Sequence, residues 1–424
     1  MTEQMFGRVP LNLVVTAIKD GTHGTHARVD NGIPFLSAKN ITDSGEVSWN
    51  ETDDRISDSE YEQIHRVFQL QPRDLLLTIV GSLGRRAVFD GAKVTFQRSV
   101  AYVRPDRRRV SERFLFHWFA HAEFQRELVR RSNSTAQAGL YLGELAQTLV
   151  PDCPLTEQIK IAEVLDTLDS TIRQTQAIID KLKQVKQGLL HDLLTRGIAD
   201  NGELRPPQSE APHLYKESAL GWIPLAWEIA PLLSRIDLPQ GQVDPRFKPY
   251  CDWVLVAPDH IESATGRLLA AVTAREQGAI SGKYVCNPGD VIYSKIRPYL
   301  RKATLTERQV ICSADMYPFT PQDDVNSRFL LALILGEGFS RFAESVSMRT
   351  GMPKINREEL AECVVAWPTR AEQDAVVSVL TSADLKQQAT TADLRKLTLL
   401  KSGLMDDLLT GRVRVTPLLL GAPA

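Results

Sequence analysis

Glu157-Gln158-Ile159, running on to Gly188-Leu189-Leu190-His191-Asp192-Leu193-Leu194-Thr195, returns later in the chain. There it reads Glu372-Gln373-Asp374, running on to Gly403-Leu404-Met405-Asp406-Asp407-Leu408-Leu409-Thr410. The offset is 215 residues at both ends, and six of the eight residues in the closing motif are identical. A period this long marks a tandem duplication rather than a solenoid. A chain in two similar halves implies a target in two parts.

Between these signposts the sequence reads as one long helix, twice. Residues 157–195 hold no proline and a single glycine, Gly188. With Leu165 as heptad position a, the a/d series runs Leu165, Leu168, Ile172, Thr175, Ile179, Leu182, Lys186, Leu189, Leu193. The second copy runs Leu380, Ala383, Gln387, Thr390, Leu394, Leu397, Lys401, Leu404, Leu408. This is a sustained 3.5-residue stripe. Its polar breaks coincide, Thr175 with Thr390 and Lys186 with Lys401; such groups in a seam cost stability and fix register and partner choice. Pro154 and Pro368 precede the helices, Thr156 and Thr369 are candidate caps, and Gly197 and Gly411 close them. About 39 helical residues span roughly 58 Å, and an amphipathic helix of that length needs a partner in water. Packing copy one against copy two, as an antiparallel coiled coil with a pseudo-two-fold axis, satisfies that need. The alternative is that each helix packs on its own globular domain.

Outward from the helices the repeat loosens. Gly7-Arg8-Val9-Pro10-Leu11 matches Gly221-Trp222-Ile223-Pro224-Leu225. The stretch Ile33 to Ile41 parallels Trp253 to Ile261, and Pro72-Arg73-Asp74-Leu75-Leu76 parallels Pro288-Gly289-Asp290-Val291-Ile292. Short β-rich runs (Leu75 to Val80, Val100 to Val103, Val291 to Ser294) lead into helical stretches at Arg113 to Arg130 and Ser327 to Val346. The fold class is α+β, with two mixed α/β front domains alternating with the two long helices. The expected organisation is a front domain at 1–150, a helix at 151–196 and an exposed, Pro/Gly-bearing connector at 197–215. A second front domain at 216–366, a second helix at 367–412 and a frayed tail at 413–424 complete it.

The 424 residues, 43% hydrophobic and 24% charged, allow two to four domains with real cores. Apolar runs such as Phe329 to Leu335 are too short to span a bilayer, and the N-terminus lacks the pattern of a signal peptide. Five scattered cysteines with no CxxC pair argue against a disulfide framework or zinc knuckle and fit a reducing cytoplasm. The net charge is only −2, yet from Gly84 to Arg113 nine basic residues face three acids, and Lys295, Arg297, Arg301 and Lys302 cluster without an acid. Local patches of this kind suit phosphate contact, or a solvated, salt-bridged surface.

Catalytic chemistry is not legible. No nucleotide-binding P-loop and no Asn/Asp-Pro-Pro-aromatic methyltransferase motif occurs, and Gly81-Ser82-Leu83-Gly84 reads as a turn. Pro151-Asp152 with Glu157 and Lys160 lacks nuclease spacing. His23 and His26, in a Gly/Thr loop, lack further metal ligands and are read as hydrogen-bonding groups for DNA. A chain of this kind binds or directs. A diverged nuclease and a coiled-coil scaffold without DNA binding are the alternatives.

The order domain, long helix, domain, long helix resembles the DNA-specificity subunit of type I restriction–modification systems. Ile18 to His23, Gly32 to Ile41, Arg73 to Leu76 and Gly221 to Trp227 look like the family's target-recognition domains. Pro154 to Gln158, Pro368 to Gln373 and the two Leu-Leu-Thr ends look like its spacer helices. Leu13 stands where Trp227 falls in the second half, which puts residues 1–13 in doubt as a well-ordered strand. The resemblance implies that each recognition domain reads one half-site of a bipartite double-stranded DNA target and that the helices set the spacing. It implies two DNA adenine methyltransferase (modification) subunits carrying S-adenosylmethionine, and restriction/translocase subunits using ATP and Mg. On that reading this chain is not an enzyme, holds no cofactor or metal, and works in the cytoplasm away from membranes.

Chemistry selects candidate DNA contacts among loop residues combining charge with amide or hydroxyl groups. In the first half these are Thr22, His23, Lys39, Arg85, Arg86, Arg131, Asn133 and Gln137; in the second, Lys295, Arg297, Arg301, Arg349, Thr350, Lys354 and Asn356. Arginine favours guanine, and Asn or Gln favours adenine. Helix pairing is assigned to Leu165, Leu168, Ile172, Ile179, Leu182, Leu189, Leu380, Leu394, Leu397 and Leu404.

Overall fold

The computed structural model describes residues 5–132, 139–347 and 353–420. It divides into two compact units, Met1–Gln176 with Ala392–Ala424, and Ala177–Thr391. The boundaries fall inside the long helices, Leu155–Thr195 and Arg370–Thr410, each 41 residues long. Each unit therefore holds one front domain, the start of the helix that follows it, and the end of the other long helix.

In the first unit a four-stranded antiparallel sheet has Val15–Asp20 and Leu75–Thr78 flanking Val100–Pro105, with Arg86–Val88 outermost. Leu75, Leu76 and Leu77 are fully buried, as a strand covered on both faces requires. Behind it Ile33–Leu36 pairs in parallel with Thr95–Phe96. The second unit repeats the plan: Ile236–Asp237 and Val291–Ser294 flank Met316–Pro321, Ala303–Leu305 lies outermost, and Leu255–Val256 pairs in parallel with Val310–Cys312. Asp74 and Asp290 precede the equivalent central strands. Each buried carboxylate accepts a backbone N–H three residues back, from Gln71 (2.8 Å) and Asn287 (2.7 Å).

Several details differ from the sequence reading. Gly7–Pro10 is a well-formed strand paired with Leu149–Asp152, and its counterpart is Glu228–Pro231, paired with Val364–Trp367. The match of Gly7 to Gly221 is thereby overturned, and the residue equivalent to Trp227 is Phe6, not Leu13. The rings confirm it: Phe6 lies against Gly411 as Trp227 lies against Gly197, and both glycines adopt positive φ after a helix end. Gly221–Pro224 instead forms a hairpin with Tyr215–Ser218. Each helical stretch of the front domains is two helices, Glu112–Ala120 and Ala122–Arg131, or Ser327–Leu335 and Glu337–Ser347. The break falls at His121 and Gly336, both in extended backbone. Thr156 lies inside its helix, whereas the Thr369 hydroxyl accepts the Glu372 N–H at 3.3 Å and caps the second helix.

The connector and the described start of the tail are not loose. Arg205 donates to Glu372, and the Glu372 carboxylate also accepts the Ile198 N–H (2.9 Å) and the Trp227 indole N–H (3.1 Å). In the first unit Arg414 donates to Glu157 through Nε (2.9 Å) and Nη2, and Val415 is buried in the core. The glutamate of each repeated Glu-Gln pair thus anchors the chain that leaves the other long helix. The glutamines anchor their own front domains: Gln158 Oε1 accepts Ser111 N–H (2.9 Å) and Gln373 Oε1 accepts Asn326 N–H (2.8 Å).

The stripe residues are all buried or half-buried. Ile161 and Leu165 share the first unit's core with Leu408 and Leu409, and Leu193 shares the second unit's with Val376 and Leu380. Lys401 bonds Asp169 in the first unit and Lys186 bonds Asp384 in the second. No described helix is long and apolar enough to cross a membrane. All five cysteines are free and buried.

Candidate nucleic-acid interface

In the first unit most of the basic run is already engaged. Arg85 pairs with Asp43 (2.7 Å), Lys93 with Asp58 (2.6 Å), Arg108 with Asp106 (3.3 Å), and Arg104 with buried Asp74 (2.8 Å). Arg86 is half-buried with its guanidinium 4.7 Å from the Phe116 ring centre. Burial pulls its pKa below the ordinary range, with Asp169 opposing. Arg131 bonds Glu127, Glu144 and the Gln147 carbonyl, which fixes a helix end. Lys39 is exposed and pairs with Asp53 (2.8 Å), which holds that carboxyl down at about 2. Asn133 and Gln137 lie outside the described residues.

Thr22 and His23 line a cleft of about 410 Å³ between the loop Asp20 to His26 and the stretch Gln63 to Phe68, the end of helix Asp58–His65 and the turn after it. His23 is exposed and bonds Asp20 (2.6 Å). His26 is held on both ring nitrogens, by Thr22 Oγ1 (2.7 Å) and Glu60 (2.6 Å). This loop is a braced wall that presents the exposed His23 imidazole.

In the second unit Lys295, Arg297 and Lys354 come together, because Ile296 bridges Lys354 across a short ladder. The Lys295 ammonium lies 4.8 Å from the Tyr317 ring centre. Arg301 is half-buried and donates to the Leu335 carbonyl, and Lys302 donates to the Pro258 carbonyl (2.7 Å). Asn356 is a helix cap: its side chain accepts the Glu359 N–H (2.8 Å), and Glu359 accepts the Asn356 N–H in return (2.7 Å). Arg349 and Thr350 lie outside the described residues. Tyr299, 53% exposed beside Arg297, was not singled out from sequence. A lone tyrosine carries no such signal until its exposure is known.

The described residues hold one cluster with metal-ligand chemistry, His117, Asp166 and Asp169. Its carboxylates are already neutralised: Arg113 donates to Asp166 (Nε–Oδ2 3.0 Å) and Lys401 to Asp169. His117 bonds Asp166 at 2.7 Å. Burial pulls the imidazole below its ordinary value, only partly offset by Asp166. Burial alone would raise the Asp166 carboxyl, but bonds from His117 and Arg113 outweigh it and hold the group at about 2. With three cationic or donor side chains on two acids, the cluster is a joint between front domain and helices and suits no divalent ion.

Residues 27–184 match the family described as the Type I restriction modification DNA specificity domain. The type I restriction enzyme EcoDI specificity subunit of Escherichia coli is 32% identical over 241 residues, 52% of this chain and 52% of that protein. The chain spans about half the length of the curated relatives it matches. Among solved structures, the type I restriction–modification S subunit from M. genitalium is 12% identical with a TM-score of 0.55, covering 95% of this chain and 96% of that one. A chain from a study of complex assembly and conformational transition of the type I R-M system is 14% identical with a TM-score of 0.59, covering 96% and 98%. At such identities the two structures establish a shared fold.

Proposed function

We propose that this chain, whose residues 27–184 match the type I restriction–modification DNA specificity domain, is the DNA-recognition subunit of such a system. Each front domain reads one half-site of a bipartite duplex target. The two long helices pair antiparallel along their length as a pseudo-two-fold coiled coil and set the spacing of the readers. Two adenine methyltransferase subunits supply S-adenosylmethionine and the N6-methyl transfer, and restriction subunits supply ATP-driven translocation and cleavage. This chain carries neither chemistry.

The observation that carries the reading is the recurrence of one sheet plan in both units, joined to the helices by equivalent Gln158 and Gln373 contacts. Two copies of one reader, each with its own exposed basic residues, fit a target in two parts. Expression with methyltransferase subunits, followed by genome-wide mapping of N6-methyladenine, tests it. Methylation of one split sequence that vanishes without this chain is expected; a contiguous motif, or none, refutes the reading. Incubating the purified chain alone with DNA and Mg2+ tests the nuclease alternative, and intact DNA is expected.

A further inference from the structure

The two front domains share one ladder and can be compared turn by turn. In the first, the chain leaves strand Leu75–Thr78 through Val80, which bridges Gly139, and turns at Gly81 and Gly84, with φ of 80° and 89°. In the second, it leaves Val291–Ser294 through Ile296, which bridges Lys354, and turns at Arg297 and Arg301, both with φ of 48°. The left-handed region strains any residue with a Cβ, and glycine escapes that strain. Strain of this kind persists where the surroundings enforce it, and it gathers at functional sites.

Arg301 has a structural reason for its conformation. Its guanidinium donates to the Leu335 carbonyl, at the C-terminal end of helix Ser327–Leu335 where a cation is favoured, and its own carbonyl accepts the Ala264 N–H at 3.0 Å. Arg297 has no such reason. Its side chain is exposed and has no hydrogen-bond, ion-pair or ring partner among the described residues. Its backbone is nevertheless tied, donating to the Pro353 carbonyl (2.8 Å) and accepting from Leu300 (2.9 Å), and buried Pro298 follows it. A fixed backbone beneath a free guanidinium is preorganised for a partner outside the chain.

We infer that Arg297 is a specificity-determining residue of the second domain and reads a guanine in its half-site. The inference rests on the DNA-recognition reading above. Lys295 and Lys354 on the adjoining ladder keep the surroundings cationic, as a duplex requires. The planar guanidinium fork matches guanine O6 and N7. A phosphate contact needs only charge, which a lysine supplies.

The test uses the full chain assembled with methyltransferase subunits and a library of randomised duplexes, with bound duplexes sequenced. Arg297→Gly and Arg297→Lys are run beside the unaltered chain, and the melting temperature of each is recorded. Arg297→Gly is expected to melt at or slightly above the unaltered chain and to accept any base at one position where guanine was required. Its affinity for the original consensus should fall roughly 10- to 100-fold. Arg297→Lys should weaken the same guanine preference while retaining more affinity. A large drop in melting temperature for Arg297→Gly would make the arginine structural and overturn the inference. So would affinity lost evenly at every position, which marks a phosphate contact, or an unchanged consensus. If the unaltered complex selects no sequence at all, the DNA-recognition reading fails and this one with it. A selective unaltered complex and an equally selective variant defeat only the role of Arg297.

Discussion

Lys401 of the second long helix donates to Asp169 of the first, and both side chains are largely shielded from water, at 18% and 16% exposed. Its counterpart in the other unit, Lys186 with Asp384, repeats the bond at the same 215-residue offset for both partners and is more open, at 28% and 43%. Each lysine is the polar break in an otherwise apolar stripe, and each break finds an acid on the other helix. A shielded pair loses more when one partner is removed, because the remaining charge is left partly desolvated.

Removing one partner of the shielded pair should therefore be the costlier change. Lys401→Met is expected to lower the stability of the full chain by about 1–3 kcal/mol, and Lys186→Met by less than about 1 kcal/mol. Denaturant unfolding of both variants, with Asp169→Asn and the double variant closing the cycle, measures this. Additive effects of Lys401→Met and Asp169→Asn would show that the two groups do not interact.

The two Glu–Arg anchors should also differ. Glu372 accepts from Arg205, the Ile198 N–H and the Trp227 indole, and Arg205 is only 11% exposed. Glu372→Ala strands all three donors, so a loss of about 3–5 kcal/mol is expected. Glu157→Ala removes one acceptor of Arg414, which is 32% exposed, and about 1–2 kcal/mol is expected. Equal losses in urea titrations would contradict the difference in burial.

Acid should weaken the first unit through His117. Its pKa is depressed in the folded chain, so its contribution is complete above the ordinary 6.5 and is lost as pH falls through the lower folded value. Asp166, depressed to about 2, adds a second loss as pH falls from the ordinary 3.8 towards that value. One proton changes stability by at most roughly 1.4 kcal/mol per pH unit. In His117→Gln the decline between pH 7 and 5 should be shallower than in the unaltered chain. An identical decline would assign it to other histidines.

Exchange of residues 1–150 for the first domain of another family member should alter one half-site of the methylated sequence and leave the other intact. The exchanged domain must still meet Leu404, Leu408, Leu409 and Val415, which pack into the first unit's core. Melting of the chimera therefore has to be checked beside the methylation map. A change in both half-sites at once would end the modular reading.

Much of this protein follows from its sequence alone, because the signals are local and periodic. A helix repeats every 3.6 residues, so two 41-residue helices, their stripes and their closing glycines are written along the chain. The duplication, including the parallel of Asp74 with Asp290, is legible because identical residues recur at a near-constant offset. The long-range pairings are not. Lys401 meets Asp169 across 232 residues and Arg414 meets Glu157 across 257, separations no spacing rule encodes. Only the fold decides that Phe6 stands in for Trp227, since two different rings fill the same gap over a glycine. Only the fold separates the arginines, because a charge run looks the same whether its members are neutralised, as Arg85 and Arg104 are by Asp43 and Asp74, or left free, as Arg297 is among the described residues. Burial and partner choice are properties of the packed chain, and they decide which charges stay available to a ligand.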